Sequence, residues 1–422
     1  MMMMQRILKQ IASIGLAEGL GRLFTFGFSA LVARTAGIDV LGYLSLALAL
    51  IAYVTIAGDS GLNQDSTRRL IRGDDPKNVV KESVQIQFIV SSCAFVLVVI
   101  FAVIAYGDPV WKYVVFLLPV PIAASLSTPY LLDYVRRIRP LVASRLMQTV
   151  SIGVAGMVFI WLGVRGEGIA FAYGIGYWCS AVFVIRISRA PYRSVFGRID
   201  RSRLNLRLES LRRLGLTGLL LHLYVSLPLL VAGFAGSEVL AEMGLISRIW
   251  FLASAPAAMA GTVLLPVMSS VDGRTKVWNL VAIGFGLGAF GTVLIGAVSS
   301  PLIVLLFGAD ASVASAGLAV FCLALPAYGA LAVGSAYLVA IHRERAVSVA
   351  YTIAIVAFVT TAGIANWAGV PVPLAFSWVV SSFLLAFVLC LVVLRDKRRI
   401  SEWTSFARGG SSDEGAVIRR CD

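Results

Sequence analysis

Twelve apolar stretches of 17 to 26 residues dominate this chain and constrain its fold more than any other feature. Lipid offers no partners for backbone N–H and C=O groups, so a segment crossing about 30 Å of hydrocarbon must satisfy them internally, as a helix of roughly 20 residues does. Cut at charged or turn-rich gaps, the stretches fall at 11–35, 41–60, 84–106, 113–132, 142–163 and 169–185, then at 214–233, 242–267, 277–298, 315–340, 347–366 and 372–394. Charged residues make up 14% of the chain, against about 25% in soluble domains, and hydrophobic residues 59%. The expectation is an all-α polytopic membrane protein with about twelve transmembrane helices.

A net charge of +14 raises the question of nucleic acid, and the placement of the charges answers it. Of 36 Lys and Arg, 30 fall in the termini and the even-numbered connections. Arg34, at the last turn of the first span, is counted with Lys112 and Arg165 toward the odd-numbered connections, and Arg22, Arg145 and Arg248 lie deeper inside spans. By the positive-inside rule this asymmetry predicts both termini in the cytoplasm, and a topology signal accounts for the charge without nucleic acid. The five cysteines are scattered with no CxxC spacing, so neither a disulfide framework nor a metal site is predicted, and no cofactor is implied. MMMMQRILKQ imitates the charged start of a signal peptide, but a 25-residue apolar run and eleven more spans follow, so a retained first helix is expected.

Two hexapeptides suggest how the twelve spans are organised. AGIDVL (36–41) returns 199 residues later as AGSEVL (235–240), each in the odd-numbered connection after the first helix of a six-span half. FLLPVP (116–121) pairs with FCLALP (321–326) at the start of the fourth helix of each half, and YLLDYVR (130–136) with YLVAIHR (337–343) further along it. The order and sidedness match, which predicts two six-helix lobes related by a parallel pseudo-twofold repeat. The expected units are an N-terminal lobe (1–185), a basic linker (186–213), a C-terminal lobe (214–394) and a cytoplasmic tail (395–422) read as disordered. In the linker Leu204, Leu208 and Leu211 form a stripe with arginines largely off it; it reads either as an interfacial helix on anionic inner-leaflet lipids or as a solvated tether.

No P-loop, no G-x-S-x-G and only two histidines occur, and no connection holds a folded domain, so transport rather than catalysis leads. Ionisable residues within spans cost at least about 2.5 kcal/mol each on insertion scales, which makes them the candidates for function. Glu18 and Arg22 lie four apart on one face of the first span. Arg248 lies about two turns into the eighth, with Glu242 at that span's outer end, and His222 is mid-span in the seventh. Arg22 and Arg248, one from each half, are expected to face a cavity between the lobes and attract an anion, since guanidinium stays charged and forks onto phosphate oxygens. The competing reading is that Glu18 and Arg22 neutralise each other at i, i+4. His222 is either a proton relay or a hydrogen-bonded packing group. Asp59 closes the second span and Arg145 begins the fifth; each reads either as a polar group of the site or as a residue close enough to the cytoplasmic surface to snorkel.

The opening run GRLFTFGFSALVARTAGIDVLGYLSLALALIAYVTIAGDSGLNQDSTRRLIR resembles the polysaccharide-biosynthesis, O-antigen flippase-like branch of the multidrug/oligosaccharidyl-lipid/polysaccharide exporter superfamily. The letters concerned are Gly21-Arg22-Leu23, Ala33-Arg34, Leu41-Gly42-Tyr43 and Gly61-Leu62 followed by Arg68, with PLIVLLFGAD (301–310) in the second half. The resemblance implies a bacterial inner-membrane flippase that moves a polyprenyl-diphosphate-linked oligosaccharide by alternating access. Arg22 and Arg248 would meet the diphosphate, Glu18 or His222 would couple an ion, and a polysaccharide polymerase and chain-length machinery would be partners. The chain lacks the extra helix pair of lipid II flippases and the acidic cluster of multidrug exporters. A drug or metabolite antiporter of the same fold and a non-transporting scaffold of a glycan-assembly complex are the rival readings.

Overall fold

The computed structural model describes the backbone of residues 2–134, 138–164, 166–188, 201–255, 277–308, 311–312, 314–341 and 343–409; for 2–18, 64, 68, 133–134, 138–139, 201–214, 277, 298–300, 302, 340 and 396–409 it describes only the helix. The first half comprises α1 (Met2–Ala36), α2 (Ile38–Asp59), α3 (Leu62–Ile71), α4 (Pro76–Ala105), α5 (Val110–Phe116), α6 (Pro119–Leu126), α7 (Pro129–Tyr134), α8 (Ile138–Trp161) and α9 (Phe171–Ser188). The second comprises α10 (Arg201–Ala235), α11 (Ser237–Ala253), α12 (Val277–Phe307), α13 (Ala314–Cys322), α14 (Leu325–Ala340), α15 (Glu344–Trp367) and α16 (Pro373–Gly409). Among the described residues nine helical segments, one of them (Val110–Leu132) made of α5, α6 and the start of α7, are long and apolar enough to cross a membrane, and a tenth is if the bent pair α13–α14 counts as one. The remaining two expected spans begin as α1 and α11, and residues 256–267 of the eighth lie outside the described set.

The two hexapeptide echoes have a common structural cause. Gly37 (φ 104°, ψ 157°) and Gly236 (φ 121°, ψ 172°) hold the same left-handed conformation at the N-caps of α2 and α11, where a Cβ would be strained. Each glycine turns the chain from the first helix of its half into the second. The fourth span of each half breaks within one residue of the equivalent place. Pro119 opens α6 after a two-residue gap from the end of α5, and Pro326 lies at the start of α14, which is bent 45° from α13. A proline lacks the N–H owed to the carbonyl four residues back. Val115 recovers a donor from the Leu118 N–H at 3.0 Å, and Cys322 from the Thr292 hydroxyl of α12 at 2.8 Å. The unbroken fourth and tenth spans expected from hydropathy are therefore each divided, because hydropathy does not register a missing donor.

Within the C-terminal lobe the core is aromatic. Trp378 of α16 stacks on Phe321 of α13 (5.2 Å) and on Tyr224 of α10 (4.7 Å), and Trp250 of α11 meets it edge-on at 5.7 Å. Backbones of α12 and α14 touch where Gly284 faces Gly329, an approach that small residues permit between membrane helices. Residues 201–213 are the first turns of α10, continuous with the seventh span. α16 runs without a break to Gly409, so the part of the tail at 395–409 is helical where disorder was expected. No Gly or Pro interrupts it before the pair Gly409–Gly410, and Ile400, Trp403 and Phe406 recur at a helical spacing.

Candidate functional site

The lobes meet along a seam built from helical stripes. On α2 the residues Gly42, Ser45, Ala49, Tyr53 and Ile56 recur at intervals of three and four, so they share one face, which Ser60 extends at the C-cap. That face leans first on α11 and then on α10. A Cβ on Gly42 would lie 2.9 Å from the Ala241 Cα, and one on Gly244 would lie 2.7 Å from the Gly42 Cα, so α2 and α11 cross backbone to backbone. Gly42 and Ala241 are each five residues past their N-cap glycine. Equivalent positions of the two halves thus meet each other, as an axis of twofold pseudosymmetry requires.

On α11 the sequence divides into two faces. Ala241, Gly244, Arg248 and Phe251, at i, i+3, i+7 and i+10, face the N-terminal lobe, while Glu242, Ile246 and Trp250 face their own. Trp250 in the aromatic core fixes the rotation of the helix and so presents Arg248 to the seam. The Arg248 Nε–H donates to the Ser45 Oγ at 3.1 Å, and the buried Tyr173 hydroxyl, near Arg248, makes no hydrogen bond among the described residues. Arg22 crosses in the other direction. Its Nη1 donates to the Phe251 carbonyl at 2.8 Å, and its guanidinium lies 4.3 Å from the centroid of the Phe251 ring. Each lobe therefore sends one arginine to a neutral oxygen of the other. No carboxylate pairs with Arg248 among the described residues.

Further contacts close the seam toward the face of the odd-numbered connections. The exposed Arg34 on α1 donates from Nε to the Leu306 carbonyl at 2.9 Å and from Nη2 to the Leu305 carbonyl, in the last turn of α12. There it meets unpaired carbonyls at the negative end of the helix dipole. Phe26 meets Phe307 edge-on at 5.5 Å.

The other sequence candidates separate. His222 of α10 bonds through Nε2 to the Ala49 carbonyl at 3.0 Å and meets Tyr53 edge-on at 4.5 Å, and Tyr53 in turn bonds to Ser226 at 2.6 Å. It is held in the α2–α10 part of the seam. Asp59 accepts from the Asn63 N–H (3.2 Å) and side-chain amide (2.6 Å), closing the turn between α2 and α3. Arg145 is exposed on α8, one turn from Thr149, which packs against Gly21. The side chain of Glu18 lies outside the described residues. Ser45, Tyr53 and Tyr173 were not singled out in the sequence, where each is one polar letter in an apolar run, and the Phe251 carbonyl has no sequence signal at all. Among the described residues no three His, Cys, Asp or Glu side chains gather as metal ligands do.

A family model described as polysaccharide biosynthesis protein matches residues 7–272. No curated protein sequence matches the chain. Among solved structures, the lipid II flippase MurJ in an inward closed conformation superposes with a TM-score of 0.74 at 15% identity, covering 90% of this chain and 87% of that one. A multidrug resistance MATE family transporter of the MOP superfamily gives 0.71 at 18% identity in its inward-facing conformation, covering 91% and 96%. An outward-facing conformation of such a transporter gives 0.64 at 17% identity, covering 94% and 96%. At these identities the likeness is one of fold, and the twelve-helix, two-lobe architecture is shared.

Proposed function

We propose, since the chain belongs to the polysaccharide biosynthesis protein family, that it is a flippase carrying a polyprenyl-diphosphate-linked oligosaccharide across the bacterial inner membrane for surface polysaccharide synthesis. The observation that carries this reading is the reciprocal placement of Arg22 and Arg248 on the seam, each bonded across it to a neutral oxygen. Charge-assisted hydrogen bonds from guanidinium to phosphate are roughly twice as strong as bonds between neutral groups. A diphosphate entering from the even-numbered face therefore outcompetes the Phe251 carbonyl and the Ser45 hydroxyl for these donors. Binding then breaks two of the ties that hold the lobes together, and the gain over the neutral bonds favours their parting.

The positive-inside asymmetry makes the even face cytoplasmic. In that orientation the Gly42–Ala241–Gly244 crossing, the Phe26–Phe307 contact and Arg34 close the seam toward the outside. The higher TM-score to the inward-facing transporter supports the same state. In the cycle that follows, the diphosphate and sugars occupy the seam while the prenyl chain stays in lipid, and the lobes rock about the α2–α10 contact. Arg201, Arg203, Arg207, Arg212 and Arg213, in the first turns of α10, draw anionic inner-leaflet lipid to the cytoplasmic end of the seventh span, and the glycan polymerase and chain-length machinery take the product.

The test is genetic and chemical together. Cells carrying Arg22→Gln or Arg248→Gln, with the protein shown to be inserted and abundant, should lose surface glycan and accumulate lipid-linked units on the cytoplasmic side. Undiminished surface glycan in both variants would leave the scaffold reading in place instead.

A further inference from the structure

Away from the seam, on the opposite side of α11, the C-terminal lobe holds a crevice of about 520 Å³. It lies between the ends of α10, α11, α15 and α16 that adjoin the odd-numbered connections. Its walls are apolar, with Phe234, Met243, Val359 and Leu374 among them, and Glu242 and Asn366 are the polar side chains that line it. Volumes of 300–1,000 Å³ with apolar walls and a few polar groups are those of small-molecule sites.

Glu242 is half-buried and makes no hydrogen bond or ion pair among the described residues. A half-buried carboxylate among apolar walls without a partner is costly. The fold nevertheless makes room for it. A Cβ on Gly317 of α13 would lie 2.4 Å from the Glu242 Oε1 and 2.8 Å from the Ile246 Cδ1, so the carboxyl group rests in a recess that any side chain at 317 would fill. The carboxylate is thus cradled but not neutralised.

The occupant follows from charge and surface. Among the described residues the one charged lining group is negative, so the ligand is a cation. Hard metal cations take six or more oxygens, and two side chains in an apolar wall do not supply them. We propose that this crevice binds a monovalent organic cation with an apolar body, its ammonium on Glu242 and its hydrocarbon along Phe234, Met243 and Leu374. The site is distinct from the seam and does not rest on the reading of Arg22 and Arg248. Its ligand comes either from solution, as a hydrophobic amine, or from the outer leaflet, as an amine-headed lipid.

The full-length protein in phosphatidylcholine nanodiscs is titrated with mono-dansylated 1,6-diaminohexane, whose second amine stays a free ammonium, and with the neutral N-dansyl-6-aminohexanol, followed by fluorescence. The amine should bind at one per chain, and the alcohol at least tenfold more weakly. Glu242→Gln should weaken the amine by tenfold or more. Gly317→Ala, which fills the recess without removing the charge, should weaken it severalfold at unchanged helicity. In a second arm, protein purified from mixed phosphatidylethanolamine and phosphatidylcholine bilayers is examined for retained lipid by native mass spectrometry. Preferential retention of phosphatidylethanolamine that is lost in Glu242→Gln identifies the lipid source, and amine binding in phosphatidylcholine alone identifies the soluble one. Equal binding of amine and alcohol, undiminished binding in Glu242→Gln, or neither ligand binding overturns the proposal.

Discussion

The crossing of α2 and α11 at Gly42 makes a quantitative prediction about the balance between inward-facing and outward-facing states. In Gly42→Val the new Cβ alone falls 2.9 Å from the Ala241 Cα and 3.0 Å from its N, roughly 1 Å inside normal contact, and all the atoms nearest it are backbone. The helices must separate, since neither partner has a flexible end to give. Overpacking of this kind costs about 1–3 kcal/mol. If the contact exists only while the outer side is closed, the whole cost falls on that state, and the equilibrium moves toward the outward-facing state by about 5- to 150-fold. Spin labels on cysteines at Asp39 and Glu238, both exposed in the first turns of α2 and α11, report the separation by pulsed electron resonance in a background freed of native cysteines. The long-distance population should grow in Gly42→Val. Gly286→Val, where a Cβ meets nothing within 4 Å, should leave the distribution unchanged. Identical distributions in the wild type and a folded Gly42→Val protein would refute the assignment of this crossing as the outer closure.

Arg34→Gln removes two bonds to the last turn of α12, each at an exposed site, and should shift the same distance distribution toward the open form by about fivefold, corresponding to about 1 kcal/mol. His222→Gln keeps a nitrogen donor near the Ala49 carbonyl, so transport and its pH profile between 5 and 8 should be retained; a flattened profile in a folded variant would assign His222 to proton coupling instead. Asp59→Ala removes the acceptor that closes the α2–α3 turn, and should lower the unfolding temperature of the purified protein through a loss of about 1 kcal/mol while leaving the transport rate per folded molecule unchanged.

How far the sequence reveals this architecture depends on which property each feature expresses. Hydropathy reports burial in lipid, so the spans were legible, as was the duplication, because Gly37 and Gly236 serve one backbone need in both halves. Pro119 and Pro326 were visible as letters, but a broken span differs from a whole one by a donor that Leu118 or Thr292 replaces, and the replacement is tertiary. Arg22 and Arg248 stood out by the cost of burying charge. Their partners did not, because a main-chain carbonyl at Phe251 and one serine in an apolar run have no distinguishing pattern. Glu242 is legible in the sequence as the residue at the end of a span, yet its setting depends on Gly317, 75 positions away. The separation of α11 into a seam face and a lobe face explains why residues close in sequence, Arg248 and Glu242, belong to different sites.

The most direct measurement of the central claim is the rate at which the purified protein, reconstituted in vesicles, moves a prenyl-diphosphate-linked oligosaccharide between leaflets, read by the appearance of the glycan to a probe confined to one side. Losing charge-assisted bonds worth about 1.5–3 kcal/mol at each arginine predicts that Arg22→Gln and Arg248→Gln each slow translocation by about 10-fold or more. The same variants should discriminate less between the diphosphate lipid and its dephosphorylated form. Wild-type rates in both variants, with unchanged preference for the diphosphate, would contradict the account.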